Sequence, residues 1–141
     1  QQEITLAPES VLPRLRIAAA EYKVDSVAGL PYAEEAVRMA PKLPFAHYLL
    51  GLLLVDTGAY AKAIPHLENA QRSFPKDARI HLSLGSAYAQ VGRPRDAARA
   101  RAEFLRLTRE AQKAQGHTPE SNPNATAPIE VTDGAVKGPG K

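Results

Sequence analysis

Cysteine and tryptophan are both absent from the chain, and aromatic residues make up only 6% of its 141 positions. Without cysteine there is no disulfide framework, no thiolate metal site and no thiol nucleophile. Without tryptophan and with few other rings, a core must come from aliphatic and small side chains, and alanine supplies much of the 44% apolar content. That composition favours helices packed closely together. Long hydrophobic runs are lacking as well. The greasiest stretch, Phe45–Val55, holds 11 residues including His47 and stops at Asp56, whereas a bilayer span needs about 20. No membrane span is expected. The run is rich in leucine rather than β-branched residues and continues from "PFAHY" without a turn signal, so it reads as helix rather than strand.

Net charge is small, +3, although charged residues make up 23% of the chain. The whole excess lies between Arg93 and Lys113, where seven basic residues face Asp96, Glu103 and Glu110. Arg95, Arg99, Arg106, Arg109 and Lys113 fall near one helical face there. Such a stripe can meet nucleic acid, an acidic polysaccharide or a membrane surface. No aromatics interleave it for base stacking, and Ala97, Phe104, Leu105 and Leu107 take the other face for packing. A charged outer face closing a helical stack is the favoured reading, with polyanion binding behind it.

What the chain does contain is a repeat. A shift of 34 residues places His47 on His81, Leu50 on Leu84, Gly51 on Gly85, Gly58 on Gly92, Ala63 on Ala97 and Arg72 on Arg106. Backwards, Ala36 falls on Ala70, Pro41 on Pro75 and Arg38 on Arg72. These are positions where a helical hairpin needs a small residue or a break. Gly51, inside a helix at a cost of about 1 kcal/mol against alanine, marks a close approach by a neighbouring helix. Ala63 is the expected matching surface, and Gly58 opens the turn between the two helices.

With that spacing the chain resembles the tetratricopeptide repeat family over about residues 31–111. Residues 44–77 supply the family pattern as Leu50-Gly51, Leu54, Gly58, Tyr60, Ala63, Leu67, Ala70 and Pro75. Residues 78–111 supply Leu84-Gly85, Tyr88, Gly92 and Ala97. They then depart, with Arg101 for the large apolar residue, Phe104 for the second alanine and no closing proline. His47 and His81 stand where the family usually has an aromatic.

The expected architecture is therefore all-α, a solenoid of helical hairpins. Helices are predicted near 31–40, 44–57, 60–73, 78–91 and 94–114, with an earlier one from Leu12 or Pro13 and a break at "VAGLP", 27–31. An extended arm at 1–9 precedes a helical domain at 10–116, divided into a degenerate hairpin (10–43), a repeat (44–77) and a repeat with capping helix (78–116). Residues 117–141, rich in Pro, Gly, Asn and Thr, form a tail that cannot bury a core. Within it, "IEVTDGAV" offers a small hairpin at Asp133-Gly134.

No catalytic or cofactor site is legible. The glycines follow repeat geometry rather than phosphate geometry. Thr57, Ser83 and Ser86 lack an acid–histidine pair, and Glu34 and Glu35 read as solvated charge. His47 and His81 fall on adjacent helices, roughly 10 Å apart by helix packing distances, with His66 near. No cysteine or carboxylate completes a four-ligand metal set, so they read as packing residues. The expectation is a non-enzyme without metal or cofactor.

What remains is binding of protein. In the family the first helices of successive repeats line a concave groove. The resemblance assigns that lining to Phe45, Tyr48, Leu52, Val55 and Asp56, then Leu82, Ser86, Ala89 and Gln90. The family's carboxylate clamp of Lys, Asn and Arg does not carry over, because those sites are aromatic, aliphatic or small here. An apolar groove needs an occupant, either a partner protein, a second copy or the folded-back N-terminal segment. Copies stacking end to end would give a homo-oligomer or filament. The first residue is Gln1 rather than methionine, as in a mature secreted chain or a trimmed one. Asn124-Ala125-Thr126 is a glycosylation sequon. The leading expectation is a non-catalytic protein-interaction scaffold. The start and the sequon raise the alternative of a secreted, self-assembling structural subunit, with extracellular placement expected and periplasmic or cytoplasmic placement as the alternatives.

Overall fold

The computed structural model describes residues 8–116 and Ile129, with only the backbone given for residues 8–10. Six helices follow one another: α1 (Pro8–Glu21), α2 (Ser26–Met39), α3 (Pro44–Asp56), α4 (Tyr60–Ser73), α5 (Ala78–Gln90) and α6 (Pro94–Gln115). Among the described residues there is no strand. Each helix packs on the next, and α1, α3 and α5 also touch along one side, so three antiparallel hairpins stack in sequence. The all-α repeat architecture expected from the 34-residue spacing is the one observed.

Local chemistry accounts for the boundaries. Asp25 and Asp77 cap α2 and α5, their carboxylates accepting from the N–H groups of Ala28 and Arg79. Pro44 and Pro94 open α3 and α6, where a missing N–H costs nothing. Gly58 and Gly92 close α3 and α5 with φ of 88° and 79°, the left-handed conformation glycine adopts without strain.

The N-terminal hairpin differs from expectation. "VAGLP" does not break the chain; it lies inside α2, and the break falls earlier, at residues 22–25. Pro31 sits at the sixth residue of α2, as Pro13 and Pro65 do in α1 and α4. The carbonyl that Pro31 leaves without its partner belongs to exposed Val27, so water can satisfy it. Gly29 is not a breaker but a contact, since a β-carbon there would lie 3.0 Å from Cβ of Glu21. The helix α1 begins at Pro8, upstream of the Leu12–Pro13 start, and so takes in two residues assigned to the extended arm.

The core runs through α3. Phe45, Ala46, Tyr48, Leu49, Leu50, Gly51, Leu52, Leu53 and Leu54 are all buried, because α1, α2, α4 and α5 surround that helix. Its apolar residues need no single face. In α6, by contrast, burial is confined to Ala97, Ala100 and Leu107, one narrow stripe on a charged helix. Among the described residues, no helix is long and apolar enough to cross a membrane.

Candidate protein-interaction groove

The side lined by α1, α3 and α5 divides into two halves. On α3 the expected groove residues Phe45, Tyr48 and Leu52 are 6%, 5% and 1% exposed. Phe45 stacks on Tyr48, and Phe74 meets the Tyr48 ring edge-on. They are packing residues in this structure. Only Val55, half-buried, and Asp56, exposed, open to the surface at the end of that helix. On α5 the same register is open: Leu82 is 37% exposed, and Ser86, Ala89 and Gln90 are exposed.

Between the halves lies a depression of about 200 Å³. Leu52, Val55 and Leu82 supply its apolar surface, Ser83 and Ser86 one wall, and Tyr22, Lys23, Asp56 and Arg79 its charged and aromatic edge. Three of those edge residues escaped the sequence reading. Arg79 carried a signal, because it stands 34 residues after Phe45. Tyr22 and Lys23 did not, because their place in the groove depends on where α1 ends.

The edge is a connected polar cluster. Lys23 Nζ lies 2.8 Å from Asp56 Oδ1, and Ser26 Oγ donates to Asp56 Oδ2 at 2.5 Å. The Tyr22 ring carries Lys23 Nζ at 5.5 Å and the Arg79 guanidinium at 5.9 Å from its centroid. Burial pushes the Asp56 carboxyl up, but the Lys23 and Ser26 hydrogen bonds outweigh that and hold it below the ordinary carboxylate value. The hydrogen bond to Asp56 raises Lys23 correspondingly. Both groups are charged at neutral pH, which gives the depression an anion beside two cations.

The histidines have structural partners. His47 Nε2 donates to Pro41 O at 2.7 Å, and His81 Nε2 donates to Pro75 O at 2.8 Å. Each ties the start of a repeat to the proline of the preceding turn. His47 and His66 meet Nδ1 to Nδ1 at 2.9 Å. Among the described residues no three His, Cys, Asp or Glu side chains converge as a metal site. Thr57 Oγ1 donates to Leu53 O, and Glu35 pairs with Arg14 and Arg38. On α6, Arg99 pairs with Asp96, and Arg106 pairs with Glu103 and Glu110. The expected basic stripe is thus a ladder of both signs. Tyr88 joins α5 to α4 by donating to Glu68 at 2.5 Å, under the Arg93 guanidinium. Asn124 and Asp133-Gly134 lie outside the described residues.

The comparisons with known proteins agree with this geometry. Residues 25–78 and 48–116 match the tetratricopeptide repeat family. The chain is 50% identical over 42 residues to cellulose synthase operon protein C of Escherichia coli K12, which is 30% of this chain and 4% of that protein. It is 36% identical over 61 residues to Superkiller protein 3 of Schizosaccharomyces pombe, 43% of this chain and 4% of that protein. The chain therefore corresponds to a small fraction of the length of these curated relatives. A solved structure titled MamA MSR-1 C2 aligns with a TM-score of 0.61 at 20% identity, over 82% of this chain and 71% of that one, a likeness of fold. The register of small residues, the left-handed turn glycines and the match from residue 25 to residue 116 make the chain a member of the tetratricopeptide repeat family, whose stacked hairpins are scaffolds for protein–protein interaction.

Proposed function

We propose that the domain is a non-catalytic docking module that holds an extended protein segment along α5 and the end of α3. The observation that carries this reading is the depression beside Leu82. It joins an apolar surface to an edge bearing Lys23, Asp56 and Arg79. A volume of about 200 Å³ suits one aliphatic or small aromatic side chain. The charges at its edge favour a segment with an acidic residue beside the anchor. Leu82, a large apolar side chain left 37% exposed, supports the assignment.

The test uses a displayed library of random nonapeptides, selected on the full chain. Enriched peptides should carry an apolar anchor next to an acidic residue. They should bind the Leu82→Asp variant at least tenfold more weakly, while its melting temperature stays close to that of the parent. Peptides that bind parent and variant equally would overturn the reading. A library that enriches nothing, with a chain that sediments as an oligomer dissociated by Leu82→Asp, would make a second copy the occupant instead.

A further inference from the structure

We propose that the chain carries a second recognition site, a cavity over α5 between α4 and α6, which takes the imidazole of a histidine from a partner protein. It shares no residue with the depression beside Leu82 and stands or falls independently of the docking reading.

The 34-residue repeat shows what is missing there. In the earlier repeat His47 donates through Nε2 to Pro41 O, and its Nδ1 meets Nδ1 of His66 at 2.9 Å. The two rings stack with centroids 5.1 Å apart. In the next repeat His81 makes the same tie, donating through Nε2 to Pro75 O at 2.8 Å. The position equivalent to His66 is Ala100. Where a second imidazole would sit lies a cavity of about 410 Å³, lined by Pro75, His81, Leu84, Tyr88 and Ala100 among others.

One acceptor in that cavity is left without a donor. Pro75 O can only accept, so His81 Nε2 holds the ring proton and Nδ1 is bare. His81 is 4% exposed, yet among the described residues no hydrogen bond reaches its Nδ1. No fully enclosed side-chain nitrogen or oxygen among those residues lacks a partner, so Nδ1 opens onto the cavity rather than being sealed behind it. The phenol and the carboxylates on the wall are already taken. Tyr88 donates to Glu68, Asp96 is held by Arg93 and Arg99, and Glu103 is held by Arg106.

These features define the ligand as a flat ring with one N–H. Donation to His81 Nδ1 repeats the bond that His66 makes to His47, while Leu84, Tyr88 and Ala100 supply apolar surface. Because arginines already neutralise the wall carboxylates, an uncharged imidazole suits the site better than a cation. The volume lies in the range of ligand pockets, roughly 300–1,000 Å³, and admits the ring together with the chain that bears it. The family is a scaffold for protein–protein interaction, which makes a partner's histidine the source of the ring.

The experiment titrates the full chain with N-acetylhistidine methylamide at pH 8 and follows the probe and the His81 ring by NMR. The His81 signals should move and saturate at millimolar probe. A probe methylated on a ring nitrogen, which has no N–H when neutral, should bind at least tenfold more weakly. The same loss is expected for Ala100→His, which supplies the missing ring from α6, and for His81→Phe, which removes the acceptor. Leu82→Asp should bind the probe as the parent does. No binding by the parent, equal binding of the methylated probe, or undiminished binding by a folded Ala100→His each overturns the proposal. If Ala100→His does not fold, His81→Phe decides, since an aromatic is usual at that position of the repeat. Loss of binding in Leu82→Asp would move the probe to the depression and overturn the second site. 4-Methylimidazole bound as tightly as the peptide probe would make the ligand a free heteroaromatic and overturn the partner histidine.

Discussion

A β-carbon on Gly51 would come within 2.6 Å of both Cγ and Cδ2 of Leu67. The glycine therefore marks the place where α4 lies directly against α3, and Leu67, fully buried, fills the space. Alanine at Gly51 gains about 1 kcal/mol in helix propensity but must displace a side chain locked in the core. Overpacking of this kind costs about 1–3 kcal/mol, so Gly51→Ala should lower the melting temperature. At Gly85 the nearest atom is Cγ of Arg101 at 3.2 Å, part of a flexible and exposed side chain. Gly85→Ala should be neutral or stabilising. Thermal melts of the two variants check the contrast, and equal effects would remove Leu67 as the cause.

The second prediction concerns acid. Pro41 O can only accept, so His47 Nε2 carries its proton; His47 Nδ1 is then bare and accepts from the Nδ1–H of His66 at 2.9 Å. Burial, and then the proximity of His47, hold His66 below the ordinary histidine value of 6.5. The unfolded chain thus takes up a proton that the folded chain resists. Stability is complete above about pH 6.5 and falls as pH drops below it. Melting temperature should decline between pH 7 and 5, before carboxylates such as Asp56 titrate. In His66→Asn that decline should flatten, and an unchanged pH profile in the variant would assign it to other groups.

The repeat was legible because turn geometry and close helix contact are written in small residues, and Gly51, Gly58, Gly85 and Gly92 occupy the sites their spacing implied. The partner of Gly51 was less so: Ala63 was expected, but the nearest group is Leu67, one helical turn further on. Gly29 was misread for a general reason. A glycine two residues before a proline looks like a breaker locally, and only the neighbouring Glu21 reveals it as a contact. The groove was half legible. A 34-residue shift marks which side a residue faces, but not whether something covers it, so Tyr48 and Leu52 were read as surface though both are buried. Replacing either by serine would cost core packing of about 2–5 kcal/mol and would not probe the groove, whereas Leu82→Asp does.

Tyrosine ionisation gives a third prediction. Burial pushes the phenols of Tyr48 and Tyr88 well above the ordinary value of 10.0, helped at Tyr48 by nearby Asp77 and at Tyr88 by the hydrogen bond to Glu68. As the folded protein is taken past pH 10, the phenolate absorbance should fall short of the total for five tyrosines. It should reach that total only when the chain unfolds. Tyr88→Phe should shorten the deficit and cost about 1–2 kcal/mol through the lost bond to a carboxylate. A smooth single titration of all five would contradict the burial of both rings.

Lys23 carries the last prediction, because there backbone strain and groove chemistry pull in opposite directions. It holds φ of 69°, at the position two residues past α1 where Gly58 and Gly92 follow α3 and α5. A left-handed non-glycine residue costs roughly 1 kcal/mol or more, while an exposed ion pair such as Lys23–Asp56 returns about 0–1 kcal/mol. On stability alone glycine would be the better residue. Lysine instead places a cation 2.8 Å from Asp56 at the edge of the depression. Lys23→Gly should therefore melt at or slightly above the wild-type temperature while binding acidic library peptides several-fold more weakly. Paired melting and anisotropy measurements separate the two effects. A variant that melts well below wild type would show that the ion pair outweighs the strain. Unchanged binding would remove Lys23 from the recognition edge.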